Sequence, residues 1–203
     1  MSQLLALDIA IVPPSDVRTR AVQASAALPS ADCQGLRLDD DHLPHITLTQ
    51  QFVRADDLER ILDRIDEVLR GQPPLTIRIT GGEKTLGGTV WMGVERTPAL
   101  ASLHERLMEA LREFERVGGS VDAFADGDAR VADLAWVAGY RVKSSLSAYT
   151  PHITLGHASE PPPIEPFTFE ATTIAACHLG RFCTCRRILR SWELRGGSAA
   201  DRT

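Results

Sequence analysis

The sequence predicts an α+β fold, bilobal, with two pseudo-symmetric lobes of antiparallel sheet, flanking helices and a central cleft. Three observations predict it. Helical and extended patterns are mixed, without the regular β-α-β alternation that a doubly wound sheet requires. Most of the strand-like segments follow one another directly, as antiparallel sheets allow. And one pentapeptide, Pro-His-Ile-Thr-Leu, occurs at residues 44–48 and again at 151–155, once in each half of the chain.

Leu4 to Val12 is apolar except for Asp8, which reads as a buried strand ended by Pro13-Pro14. Ser15 to Leu28 reads as a helix with Val17, Ala21, Val22 and Leu28 on one stripe and Ser15 as its N-cap. The polar stretch 29–44 is a loop, and His45 to Phe52 a strand. Ala55 to Arg70 has the clearest helical pattern: Leu58, Ile61, Leu62, Ile65, Val68 and Leu69 recur at spacings of three and four. Asp56 and Glu59 resemble a capping box, and Gly71 followed by Pro73-Pro74 closes the helix.

Leu75, Ile77 and Ile79 alternate with polar residues, as in a half-buried strand. Gly87-Gly88 turns the chain into a strand over 89–95. Pro98 opens a second helix whose stripe is Leu100, Leu103, Leu107, Leu111 and Phe114. The Gly- and Asp-rich stretch 118–128 reads as a mobile loop, and 129–140 as a short helix. After the second pentapeptide come a strand over 152–157, a turn at Pro161-Pro162-Pro163, and two long strands, 167–179 and 181–194, joined by a tight hairpin at Gly180. The expected organisation is a single bilobal domain over 1–195 and a flexible tail over 196–203.

The chain has 203 residues, 43% of them hydrophobic, enough for a packed core, and a formal net charge of -5. That charge argues against a surface that tracks long duplexes, which needs clustered Lys and Arg. It is compatible with a nucleotide or an RNA end in a locally basic cleft. No apolar run approaches the roughly 20 residues of a membrane helix, and the first residues do not read as a secretory leader. Cys33, Cys177, Cys183 and Cys185 read as reduced thiols, so a cytoplasmic protein without membrane contact is expected, and a monomer.

On a strand, residues two apart share a face. His45 and Thr47 therefore point one way while Ile46 and Leu48 point the other, and His152 and Thr154 repeat the pattern. If the polar faces confront each other, two imidazoles and two hydroxyls surround one small volume. That set suits acid–base chemistry at a 2′,3′-cyclic phosphate. Imidazole, with a pKa of about 6.5, can take a proton from water or give one to a departing oxygen. Hydroxyls can bind the phosphoryl oxygens as charge develops. A single His-x-Thr on a strand is usually structural; two copies after proline are what make the pattern informative.

These motifs, His45-Ile46-Thr47 and His152-Ile153-Thr154, each followed by leucine, resemble those of the two-histidine (2H) phosphoesterase superfamily, in its 2′-5′ RNA ligase-like and cyclic phosphodiesterase branch. Residues 89–94 with the following Leu-rich helix resemble the family's central strand and helix, and 174–194 its closing strands. The resemblance spans Leu4 to about Leu194; the stretch 118–140 reads as an insertion. It implies a central groove with His45 and His152 as catalytic acid and base, Thr47 and Thr154 as phosphate ligands, and no metal or other cofactor. The expected activity is that of a phosphoesterase on 2′,3′-cyclic phosphates of RNA ends or small nucleotides, with 2′-5′ RNA ligation as a further possibility. The expected partners are RNA ends or nucleotides carrying a 2′,3′-cyclic phosphate or a 2′-5′ linkage. The alternative is a non-catalytic module that holds a nucleotide or RNA end in the same groove.

Other residues carry weaker expectations. Tyr149 is a candidate for stacking on a base, and Arg141 and Lys143 for binding substrate phosphate, each against a structural or solvated alternative. Arg78 and Lys84 read the same way. Trp91 reads as core. His157 has odd parity relative to His152 and is expected to face away from the cleft. His42 reads as exposed and His104 as structural. Cys177, Cys183, Cys185 and His178 match no strong zinc spacing, and buried thiols are the preferred reading.

Overall fold

A computed structural model describes residues 3–32 and 34–195 of the chain. Cys33 and the segment 196–203 expected as a tail lie outside the described residues. Strands β1 (Leu4–Val12), β2 (Ile46–Arg54), β7 (Thr173–Leu179) and β8 (Cys185–Glu193) form one antiparallel sheet in the order β2-β1-β7-β8. Strands β3 (Leu75–Lys84), β4 (Thr89–Val94), β5 (His152–His157) and β6 (Phe167–Ala171) form the second, in the order β5-β4-β3-β6. The α+β class and the antiparallel pairing are as the sequence predicts.

The four α-helices are α1 (Ser15–Ala26), α2 (Leu58–Leu69), α3 (Pro98–Ala110) and α4 (Val131–Lys143). Two expected caps are absent. Pro14, not Ser15, occupies the N-cap of α1 and offers no side-chain bond, while the Thr19 hydroxyl donates to the Ser15 carbonyl. The Asp56–Glu59 box does not form, because Ala55–Asp57 is a separate 3-10 turn that feeds α2. Thr97 does cap α3, accepting from the Leu100 amide at 3.3 Å.

The motif strands β2 and β5 are each the edge of their own sheet, and these edges contact one another. Both strands carry the same irregularity. Ile9 pairs with Thr49 and Ala10 with Thr47, so Leu48 is an extra residue; Val90 pairs with Gly156 and Trp91 with Thr154, so Leu155 is one too. The leucine after each His-x-Thr is thus a β-bulge. A bulge reverses side-chain parity downstream. Both leucines are fully buried with Ile46 and Ile153, and each such side chain contributes about 1.5–3 kcal/mol of apolar burial.

Gly156 permits the second bulge. Its φ is +147°, and a Cβ there would stand 2.9 Å from Leu28 Cδ1 and 3.2 Å from the Leu36 carbonyl oxygen. Gly156→Ala is expected to cost about 2 kcal/mol, read as a lower urea midpoint with unchanged slope.

Three stretches differ from expectation. Residues 121–127 form consecutive 3-10 turns that bury Ala123, Phe124 and Ala125, with Phe124 edge-on to Phe52 at 5.8 Å. Apolar burial thus overrides the loop-like composition. The expected long strand 167–179 breaks at Thr172, where the chain crosses from the second sheet to the first: Ala171 pairs with Leu75, Thr173 with Val12. The Gly180 hairpin is also longer than expected, because Arg181–Cys183 forms a 3-10 turn with Phe182 and Cys183 at positive φ.

Candidate active site

The contact of the two edges opens a cavity of about 570 Å³, lined by His45, Thr47, His152 and Thr154 together with residues of α4 and of the Phe182–Thr184 turn. The two histidines are held alike. His45 Nδ1 lies 2.8 Å from the Leu43 carbonyl oxygen, and His152 Nδ1 lies 2.8 Å from the Thr150 carbonyl oxygen. A ring nitrogen beside a carbonyl oxygen must be the protonated one, so each Nδ1–H donates to the residue two positions back. Each Nε2 is left for the cavity. The intervening residue is proline in both cases, which fixes the extended approach.

Their surroundings differ. His45 Nε2 stands 3.6 Å from Asp8 Oδ2, an ion pair when the ring carries two protons. Asp8 is fully buried at the middle of β1. The Thr47 hydroxyl donates to its Oδ2 at 2.9 Å and Gln50 Nε2 at 2.7 Å. Burial pushes the Asp8 carboxyl above its ordinary value, against the pull of the His45 charge and these two hydrogen bonds. His152 packs on Trp91, with ring centroids 4.9 Å apart and a 36° tilt. Desolvation holds the His152 ring below the usual imidazole value; the Thr150 carbonyl opposes this, and the His45 charge adds to it.

The hydroxyls differ too. Thr47 gives its proton to Asp8, whereas Thr154 lines the cavity without a hydrogen-bond partner among the described residues.

The remaining candidates separate clearly. Tyr149 is buried, lies face to face with His104 at 3.9 Å, and donates its hydroxyl to the Thr47 carbonyl at 2.9 Å. Its ring face is therefore occupied. Burial pushes its phenol well up, so it remains a donor. It ties the approach to the second motif onto the backbone of the first. His104, pushed down by burial, donates from Nδ1 to the Leu48 carbonyl at 2.5 Å and accepts the Leu146 amide at Nε2. Tyr149→Phe removes this buried hydrogen bond, and a stability loss of about 1 kcal/mol is expected by thermal melt.

Arg141 does not line the cavity: it pairs with Glu115 and donates to the Met108 carbonyl at 2.9 Å. Lys143, exposed on the last turn of α4, does line it. Arg78 pairs with Glu95, and Lys84 donates to the Ser159 carbonyl. His42 is half-buried beside Asp39 and Arg186. Trp91 is not core; its indole N–H reaches Glu83 at 3.3 Å. Cys177 and Cys185 are buried free thiols, and Cys183 sits in the turn before β8. His178 Nε2 is engaged with the Ala123 carbonyl instead of these thiols.

Residues that sequence reasoning missed sit beyond the bulges. Gln50 and His157 each follow their motif threonine by three positions, and the bulge brings both to the cavity face. Strand parity alone turns His157 away from the cleft; the reversal after Leu155 turns it back. Arg130 lies 3.7 Å over the Phe182 ring and pairs with buried Asp133, which also accepts the Phe182 amide at 3.0 Å. Asp133 thereby joins the start of α4 to the strained turn. Asp8 had left a signal: it is the one charge in an otherwise apolar strand.

Residues 13–179 match the family model of the 2′-5′ RNA ligase superfamily, and the chain belongs to that family, the two-histidine phosphoesterases. Solved structures share the fold. TT0787 of Thermus thermophilus is 20% identical with a TM-score of 0.64, over 96% of this chain and 100% of that one. LigT of E. coli in apo form is 20% identical with a TM-score of 0.60, over 96% and 99%. LigT of E. coli complexed with 3′-AMP is 23% identical with a TM-score of 0.61, over 95% and 99%. No curated protein sequence matches. No helix of the described residues is long and apolar enough to cross a membrane.

Proposed function

We propose that the chain hydrolyses 2′,3′-cyclic phosphates of RNA ends or small nucleotides, with His45 and His152 as catalytic residues. One observation carries this: two imidazoles, each with Nδ1 fixed on a carbonyl two residues back, offer Nε2 to one cavity. The solved complexes of LigT with phosphate and with 3′-AMP support a phosphorylated nucleotide as the ligand class.

The asymmetry of the pair suggests the roles. His152 is held neutral and takes a proton from water at Nε2. The water oxygen bonds to phosphorus, and the bond from phosphorus to one ribose oxygen breaks. His45, as imidazolium beside Asp8, gives its Nε2 proton to that oxygen. Such a division of two like groups by their surroundings is a general device. Thr154 donates to a phosphoryl oxygen, and Thr47 does so once its proton turns from Asp8 to the phosphate. Lys143 adds positive charge at the rim. 2′-5′ ligation would be the same step in the same direction with a ribose 5′-hydroxyl in place of water: its oxygen bonds to phosphorus as it loses its proton to one ring, and the bond from phosphorus to the 3′ oxygen breaks as that oxygen takes a proton from the other.

The rate is expected to follow a bell-shaped pH profile. Activity requires neutral His152, so it rises as pH increases through the lowered His152 value, with the acid midpoint below about 6.5. The test is turnover of 2′,3′-cyclic AMP in EDTA, followed across pH. Binding of the product without turnover would instead establish the non-catalytic module.

A further inference from the structure

Beside His45 lies a donor set that phosphoester hydrolysis leaves unused. One ligand atom each from Asp8, His45 and Cys185 lies within 4.8 Å of the others. The three residues come from different strands: the middle of β1, the entry to β2 and the first position of β8. Asp8 is 0% exposed and Cys185 2%. Asp8 Oδ1 is buried without a hydrogen-bond partner among the described residues, although its other oxygen accepts two bonds. A buried carboxylate oxygen left unpaired is costly and requires an explanation.

We infer that Asp8, His45 and Cys185 form a binding site for a single zinc-like divalent cation, and that occupancy switches the enzyme off. Zinc bonds of about 2.0–2.3 Å to these donors place tetrahedral ligands roughly 3.3–3.8 Å apart. One pair already stands in that range, His45 Nε2 and Asp8 Oδ2 at 3.6 Å, and the three donors lie within 4.8 Å of one another, so a small inward movement closes the set around a cation that the carboxylate, with its unpaired Oδ1, is placed to hold. A carboxylate, an imidazole and a thiol together suit zinc; magnesium and calcium prefer oxygen alone. The supporting shell is also that of a metal site. His45 donates Nδ1–H to a backbone carbonyl, which leaves Nε2 as the ligand, and the carboxylate is itself held by Thr47 and Gln50.

The bond to sulfur forms as the Cys185 thiol proton leaves to solvent, and nothing is oxidised or reduced. Three protein ligands leave a fourth position, taken by water. The His45 nitrogen that would bind the cation is the one proposed to protonate the departing ribose oxygen. Cation and proton exclude one another there, so zinc is an inhibitor. The binding stands by itself; only the inhibition rests on the hydrolytic reading.

The chain is stripped with EDTA, desalted and titrated with Zn²⁺ or Co²⁺. One zinc per chain is expected to survive gel filtration. Cobalt is expected to show a thiolate charge-transfer band, lost in Cys185→Ser and kept in Cys183→Ser. Stoichiometric zinc is expected to lower 2′,3′-cyclic AMP turnover at least about tenfold. Cys185→Ser, active in EDTA, is expected to need about tenfold more zinc for the same effect. The cobalt band on the unaltered chain decides the site even if that variant does not fold. No band, zinc retention unchanged in Cys185→Ser, or turnover that rises with zinc overturns the inference. A stripped chain that binds cobalt through sulfur but turns over nothing overturns the hydrolytic reading and leaves the metal site standing.

Discussion

His152→Ala is expected to lower kcat for 2′,3′-cyclic AMP by about a thousandfold, and His45→Ala by a similar factor, because each removes one proton transfer. The double variant is expected to be little worse than either single one, since groups that act as a unit are not additive. Neither change is expected to unfold the protein. Both rings face the cavity and neither belongs to the buried apolar core. The measurement is steady-state turnover in EDTA, with the monophosphate product resolved chromatographically and folding checked by thermal melt. Full activity in either variant removes that histidine from the mechanism.

Asp8→Asn is expected to move activity and stability in opposite directions. Asn keeps an oxygen for Thr47 and Gln50 but loses the ion pair with His45. Turnover is expected to fall about 10- to 100-fold, the range for a group that positions a functional one. Stability is expected to rise by about 1 kcal/mol at neutral pH, in keeping with the trade-off between active-site strain and fold stability. The sign follows from burial. The Asp8 carboxyl is pushed above the unfolded value of about 3.9, so the folded state binds the proton more tightly. Stability of the unaltered chain therefore falls as pH rises from about 4 through the folded value, and the gap to Asp8→Asn widens over that interval. Urea midpoints of both proteins, measured at a series of pH values from about 4 upward, read the effect.

Much of the frame was legible because it rests on periodicity. β1, α2, α3 and β5 follow their apolar patterns directly, and the paired pentapeptide located both histidines, His152 as the first residue of β5 and His45 one residue before β2, where the sequence had placed it inside the strand. What was not legible depends on contacts between distant segments. Nothing local marks Thr172 as the point where the chain changes sheets, because both flanking stretches have strand propensity. Phe124 is buried against Phe52 although its neighbours look like loop. Parity carried the site only as far as each threonine. The bulges at Leu48 and Leu155 then brought Gln50 and His157 inward, and a bulge is set by the partner strand's register, not by the bulged residues alone. Arg141 and Lys143 are two residues apart on a helix and so point apart. One became a strap to Glu115 and the other reached the rim.

The most direct test is a crystal of the chain soaked with a nucleoside 2′- or 3′-monophosphate. The expected result is a single phosphate whose oxygens lie about 2.6–3.2 Å from His45 Nε2 on one side and His152 Nε2 on the other. A phosphate bound away from either ring, or one reached by only one of the two nitrogens, would contradict the account.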